Sequence, residues 1–201
     1  MRPRITFAFS VSCLGAIIFI GCAKRNFYPD DNDPGLSRFT SYGFNVATNY
    51  INGKPYINPF SRISGNYLPV IAKDSGSSPM DTLSISWQIE REDTSDSFTD
   101  PYENLYLWLP VPKTFTKNDF LQFSGKRFTG NCNIGLAGGQ IPFAATRVGT
   151  ADIYFVKLGE YNSNSVKQIQ VTGMFEGAIG DTIEVTKGRF DFRISENDLN
   201  F

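Results

Sequence analysis

Alternation of apolar and polar residues with period two is the feature that most constrains this chain. Every second position of TLSISWQIER is apolar, namely Leu83, Ile85, Trp87 and Ile89. Side chains of a β-strand point alternately to the two faces of a sheet, so this pattern is typical of a strand with one buried face. IQVTGMFEG and RFDFRI repeat the alternation, whereas ADIYFVKL and ENLYLWLPV are apolar on both faces and are expected near the middle of a sheet.

Turn signals separate these strands. Asn52-Gly53 in YINGKPYIN predicts a two-residue hairpin, because both residues tolerate positive φ. VTKGRF fits either a second tight hairpin or one strand kinked at Gly188. The segments KDSGSSPMD, EDTSDSFTDPYE, GNCNIGLAGGQ and GEYNSNS are expected to be loops from their composition.

One short helix is predicted near residues 116–124. In TKNDFLQFSG, Thr116 can cap the helix, Asp119 follows three positions later, and Gly125 can end it. Many short strands with one helix predict an all-β fold, specifically a mostly antiparallel β-sandwich or flattened barrel.

The N-terminus reads as an export leader. Arg2 and Arg4 precede an uncharged, mostly apolar run over residues 5–20, which is shorter than the roughly 20 residues that a membrane-crossing helix needs. The following Gly21-Cys22 makes FIGC resemble the lipobox of bacterial lipoproteins, in which the thiol receives a diacylglycerol and signal peptidase II cuts just before it. An ordinary secreted protein and an uncleaved N-terminal anchor are the alternatives.

The leader implies a division of the chain. We expect a lipoprotein signal peptide over residues 1–21, a flexible tether over 22–38 and a β-sandwich domain over 39–201. Acidic residues in the tether resemble the surface-export signals of some Bacteroidota lipoproteins, which leaves a cell-surface and a periplasmic orientation both open. As a calcium loop starting at Asp30 the segment fails, because Pro34 and Ser41 stand at ligand positions.

Composition restricts the chemistry. Histidine is absent, which excludes histidine-based acid–base and nucleophilic catalysis and imidazole metal sites. Removal of residues 1–21 leaves 17 basic and 20 acidic residues, hence a net charge of −3, which argues against a nucleic-acid partner. Cys13 leaves with the leader and Cys22 is the lipidation site, so Cys132 is expected to be a lone, buried thiol.

Two aromatic residues are the candidate ligand site. In LYLWLP, Tyr106 and Trp108 share the strand face opposite three leucines. They either complete a second packed layer or form an exposed platform on which a sugar ring could stack. No catalytic residue, metal site or cofactor is predicted, because the acidic residues between 90 and 100 lie in a loop-like segment and cannot be paired across a cleft from sequence.

Four segments together resemble a group of small Bacteroidota lipoproteins with an all-β domain of unknown function. They are INGKPY, GTADIYFVKL, VTGMFEG and the closing VTKGRFDFRI, and the similarity spans roughly residues 40–195. Lys187 stands where these proteins often have asparagine, and Tyr56 where they often have tryptophan. The resemblance implies an exported, lipid-anchored protein of the bacterial outer membrane and supplies no catalytic residues.

These observations predict a binding or adhesion module without enzyme activity, with glycans as the ligand class that suits Tyr106 and Trp108. The alternative is a structural or accessory subunit that docks to another envelope protein.

Overall fold

A computed structural model describes residues 29–58, 69–75, 79–91, 103–138, 147–163 and 166–201. Within these ranges the chain forms twelve strands: β1 Pro29–Asp30, β2 Asp33–Ser37, β3 Val46–Ile51, β4 Lys54–Ile57, β5 Val70–Asp74, β6 Met80–Arg91, β7 Glu103–Pro112, β8 Arg127–Gly138, β9 Arg147–Ser163, β10 Val166–Ile179, β11 Ile183–Ser195 and β12 Leu199–Asn200. Helix α1 covers Lys117–Leu121, and a 3-10 turn covers Glu196–Asp198. No helix in these ranges is both long and apolar enough to span a membrane.

Ten strands form one sheet in the order β12-β5-β6-β4-β3-β11-β10-β9-β8-β7. The last strand of this order, β7, also pairs with the third strand, β6. The eight strands from β6 to β7 are therefore hydrogen-bonded into a closed ring. The pairs are antiparallel except β12 with β5, which are parallel. The fold is therefore all-β, as predicted, and β1 and β2 form a separate small hairpin.

The predicted alternation places the core inside the ring. Trp87 lies at its centre, with ring centroids 5.4 Å from both Phe175 and Phe192 and 5.8 Å from Phe190. All four side chains are at most 3% exposed. Burial of large aromatic rings is the main favourable contribution to such a core.

The turn predictions are resolved at two sites. Asn52 and Gly53 have φ of 49° and 75° and join β3 to β4, which confirms the hairpin. VTKGRF belongs to one strand, β11, whose pairing is interrupted between Thr186 and Arg189. Lys187 has a φ of 50° at this bulge, and the ring of Phe175 packs where a Cβ on Gly188 would stand. The kinked-strand alternative is the correct one.

Helix α1 starts as its sequence predicts. Thr116 accepts a hydrogen bond from the Asp119 backbone N–H, and the Asp119 carboxylate accepts one from the Thr116 backbone N–H at 2.9 Å. The Thr116 hydroxyl also donates to this carboxylate at 2.7 Å, and this hydrogen bond, followed by the one from the Thr116 backbone N–H, lowers the pKa of Asp119. The helix ends at Leu121, and turns continue to Gly125, whose φ is 76°. Phe120 is the residue that the helix buries.

The glycine-rich segment GNCNIGLAGGQ is not the predicted loop, because residues 130–138 belong to β8. Cys132, Ile134 and Leu136 point inward and are buried. Gly135 leaves room for a neighbouring indole ring instead of marking a loop. Likewise most of GEYNSNS belongs to β9, which runs to Ser163.

A flexible tether is predicted for residues 22–38, but residues 29–37 of this range form the β1–β2 hairpin. Leu36 is fully buried, and Ser37 lies 3.3 Å from the Thr48 hydroxyl. The Tyr50 hydroxyl donates to the carbonyl of Pro34 at 2.8 Å. We call residues 29–45 the strap, because they lie across the outside of the barrel.

Outward side chains of β11 hold the first part of the strap. Arg189 donates to Asp30 at 2.6 Å and to the carbonyl of Ser37 at 2.8 Å. Asp33 pairs with both Arg189 and Lys187. The charged residues that alternate with the buried phenylalanines of GRFDFR therefore attach the strap to the barrel.

Asp191 holds the second part of the strap. Its buried carboxylate accepts hydrogen bonds from the Thr40 hydroxyl at 2.6 Å and from the backbone N–H groups of Tyr42 and Gly43 at 3.0 and 2.9 Å. From the barrel side, the Thr172 hydroxyl donates at 2.9 Å. Several donors compensate the burial of this charge, as a buried carboxylate requires.

Candidate functional site

Tyr106 and Trp108 lie on the outer face of β7, opposite the buried leucines of the same strand. Their ring centroids are 5.4 Å apart and their planes differ by 11°, so the rings are nearly parallel. Both side chains are partly exposed, and neither belongs to the buried core. We call this pair the aromatic platform. Burial raises the pKa of the Tyr106 hydroxyl above its ordinary value.

Small side chains beside the platform let the rings lie close to the sheet. Tyr106 stands opposite Ser86 and Gly135, and Trp108 stands opposite Ser84 and Asn133. A Cβ built on Gly135 would lie 2.5 Å from Cη2 of Trp108. The indole therefore occupies the space that a side chain at position 135 would need.

The residues that flank the platform across the sheet are uncharged. Two cross-strand rows of residues pass through Tyr106 and Trp108. These rows contain the hydroxyl and amide groups of Ser84, Ser86, Asn133 and Thr150. Such groups donate and accept hydrogen bonds without requiring a charged partner. The surface combines flat apolar rings with neutral polar groups, which matches a neutral polar ligand better than a polyanion.

The lipidation residue Cys22 and the cleavage site at Gly21 lie outside the described residues. Of the acidic cluster in the predicted tether, the structure places Asp30 and Asp33 against Arg189. The backbone N–H of Asn32 and then Arg189 lower the pKa of Asp30. The hydrogen bond to Asp33 raises the pKa of Lys187. These carboxylates serve as partners for the barrel's cations.

A groove that the sequence did not reveal lies on another part of the barrel surface. It has a volume of about 300 Å³ and runs over β9, β10 and β11, between Arg127 of β8 and Asp33 of the strap. Tyr154 and the exposed Met174 stand opposite each other in its floor. Only the pairing register brings these residues together, because they lie in separate strands.

Cys132 is buried with its thiol unbonded to another cysteine, as predicted. Burial and then the charge of Asp152 raise the pKa of the Cys132 thiol to about 11. The thiol therefore stays protonated near neutral pH and is a poor nucleophile.

Comparison of the chain with protein-family models, with curated proteins and with solved structures gives no match.

Proposed function

We propose that this chain is a lipid-anchored lipoprotein of the bacterial outer membrane whose β domain binds glycans without catalysing a reaction. The ligand lies on the aromatic platform, against Tyr106 and Trp108. The lipid on Cys22 holds the domain at the membrane, since each buried methylene group contributes about 0.8 kcal/mol.

The observation that carries this proposal is the partly exposed, nearly parallel pair of rings on the outer sheet face. Sugar rings have apolar C–H faces that stack on aromatic planes, while their hydroxyl groups need polar neighbours. The neutral side chains of Ser84, Ser86, Asn133 and Thr150 supply such neighbours in the adjacent strands.

Anchoring places the domain close to the membrane surface. Pro29, the first described residue, follows Cys22 by seven positions. A chain segment of this length spans at most about 25 Å. Because the strap is bonded to β11 through Arg189, the short segment before it leaves the barrel little freedom to move away from the bilayer.

Lipidation is tested by labelling cells with a radioactive fatty acid. Cys22→Ser should abolish incorporation of the label and release the protein from the membrane fraction. Cys132→Ser is the matched control, since it removes the buried thiol and should leave incorporation unchanged. Label on the Cys22→Ser protein would overturn the lipobox assignment.

Glycan binding is tested by thermal shift and calorimetry with a panel of neutral oligosaccharides, using the mature chain with Cys22→Ser. A ligand that binds the native state raises the melting temperature in a saturable way. Trp108→Ala and Tyr106→Ala should each weaken binding by about tenfold or more, as loss of a stacking ring does. Tyr42→Ala is the control, because Tyr42 is 67% exposed and lies in the strap, where its backbone N–H is bonded to Asp191 of β11 and not to β7. Equal effects of all three variants would contradict the platform.

Docking to another envelope protein is the second candidate function. Val70 and Val148 are 49% and 53% exposed and lie in the same cross-strand row as Tyr106. Exposed apolar residues beside aromatic ones favour a protein partner. Val148→Ser should then reduce crosslinking to a partner in cells, whereas a glycan site would depend on the rings and tolerate this change.

A further inference from the structure

The groove between the strap and Arg127 is lined by charged side chains of both signs. Asp33, Lys187 and Arg189 lie at its strap side and pair with one another. Their charges are thereby satisfied within the protein, so the groove's capacity to bind depends on its other charged residues.

Arg127, Asp152 and Glu176 are those other residues, and none of them forms an ion pair with any residue that the structure describes. The Arg127 guanidinium instead lies 5.9 Å from the centroid of the Tyr154 ring. One cation and two anions therefore face the same concavity without an ion-pair partner among the described residues.

The two carboxylates are placed unfavourably for the protein alone. Asp152 on β9 and Glu176 on β10 are directly opposite each other in the antiparallel register. Side chains opposite each other in this way lie about 5 Å apart at Cβ, and like charges there destabilise the pair. A bound ammonium group would relieve this repulsion by pairing with both carboxylates.

Arg127 lies at a distance from Asp152 that suits a small ligand with one positive and one negative group. Arg127 stands opposite Tyr154, and Tyr154 follows Asp152 by two positions along β9. Same-face neighbours on a strand are separated by about 6.6 Å and adjacent strands by about 4.8 Å, so Arg127 lies about 8 Å from Asp152 along the diagonal. An extended peptide advances about 3.3–3.6 Å per residue, so the termini of a peptide of two or three residues fit this separation.

We propose that this groove is a second binding site, which takes a short peptide with free termini. The peptide's ammonium group lies between Asp152 and Glu176, and its carboxylate accepts hydrogen bonds from Arg127. The body of the peptide lies over Tyr154 and Met174, which form the floor. This site is separate from the aromatic platform and does not depend on glycan binding.

The arrangement has opposite consequences for stability and for binding. Glu176→Gln removes the repulsion with Asp152, so it should raise the melting temperature of the free protein by about 1–2 °C. The same change should weaken peptide binding, because it removes half of the ammonium site. A merely structural role for Glu176 would give no gain in stability.

The test is calorimetric titration of the mature chain, carrying Cys22→Ser, with trialanine. Saturable binding is expected, and N-acetyl-trialanine amide should not bind. Glu176→Gln and Arg127→Gln should each weaken trialanine binding by about tenfold, as removal of one charge-assisted contact does. Asp152→Asn is a second variant on the ammonium side. Glu184→Gln is the matched control, because it removes an exposed carboxylate outside the groove and should leave binding unchanged.

Three outcomes would overturn the proposal. The first is absence of saturable trialanine binding to the wild-type groove. The second is equal binding of the blocked peptide, which would show that the terminal charges are not recognised. The third is unchanged affinity in both Glu176→Gln and Asp152→Asn, with their folding verified by the melting curves.

Discussion

The indole ring of Trp108 lies directly over Gly135 of the neighbouring strand. A Cβ at position 135 would stand 2.5 Å from Cη2 and 2.6 Å from Cζ3 of the indole. The absence of a side chain on Gly135 is therefore a condition for the present position of Trp108, and so for the geometry of the aromatic platform.

Gly135→Ala should displace the indole and weaken ligand binding at the platform. Because the added methyl group overpacks a formed contact, we expect a loss of about 1–3 kcal/mol in the free energy of unfolding. Urea unfolding and glycan titration measure the two effects. Gly138→Ala on the same strand is the control, since nothing lies within 4 Å of its added Cβ. Equal effects of the two substitutions would show that the contact with Trp108 is unimportant.

Asp191→Asn should detach the second part of the strap. The carboxylate accepts hydrogen bonds from Thr40, Thr172 and the backbone of Gly43. In the asparagine side chain an NH2 group replaces one of the two acceptor oxygens, so some of these hydrogen bonds are lost. We expect a loss of about 2–4 kcal/mol in unfolding free energy, because buried donors lose a charged acceptor. Urea unfolding measures the loss, and hydrogen exchange should increase at residues 40–44.

Asp198→Asn provides the comparison for this prediction, since Asp198 is exposed. A loss below about 1 kcal/mol for Asp191→Asn, similar to an ordinary surface substitution, would contradict the anchoring role of Asp191.

Acid should weaken the attachment of the β1–β2 hairpin. The Asn32 backbone N–H and Arg189 hold the pKa of Asp30 below its ordinary value in the folded state. A lowered folded pKa means that the contribution to stability is present above the unfolded pKa and is lost as the pH falls through the folded one. The difference in stability between wild type and Asp30→Asn should therefore be constant near neutral pH and shrink below about pH 4.

Unfolding in urea at a series of pH values measures this difference. If the difference between the two proteins stayed the same down to pH 2, the interaction of Arg189 with Asp30 would not depend on the carboxylate's charge.

Cys132 should react slowly with iodoacetamide in the folded protein. In the mature chain with Cys22→Ser it is the remaining cysteine, and burial raises its pKa to about 11. At pH 8 its thiolate fraction should be at least about 100-fold below that of an ordinary thiol. Mass spectrometry of alkylation, with and without denaturant, measures the difference. Rapid labelling of the native protein would show that β8 opens or that the thiol is activated.

Segments with clear period-two alternation were predictable because burial of one sheet face is a local pattern. TLSISWQIER and RFDFRI have that pattern, and their apolar residues form the core. The loop prediction for GNCNIGLAGGQ is wrong, because the glycines of this strand segment resemble those of a loop. The signal that indicates a strand is the alternation of Cys132, Ile134 and Leu136, which the composition of the segment obscured.

The two candidate sites differ in how much of each could be predicted from the sequence. Tyr106 and Trp108 lie two positions apart on one strand, so their shared face followed from local geometry. Whether that face was covered by another layer depended on distant strands. The groove residues Asp152 and Glu176 are brought together only by the register of β9 and β10.

The sequence by itself determined the all-β class, the Asn52-Gly53 hairpin and the capped helix at Thr116, because each depends on residues within a few positions of one another. The tertiary structure decided the closure of the sheet through β6 and β7, the attachment of the strap to β11, and the outward position of the platform. These depend on pairing between residues that are far apart in the chain. Such pairings are stable because they bury apolar side chains in one particular register. Neither the partner strand nor the register is determined by the residues of a single segment.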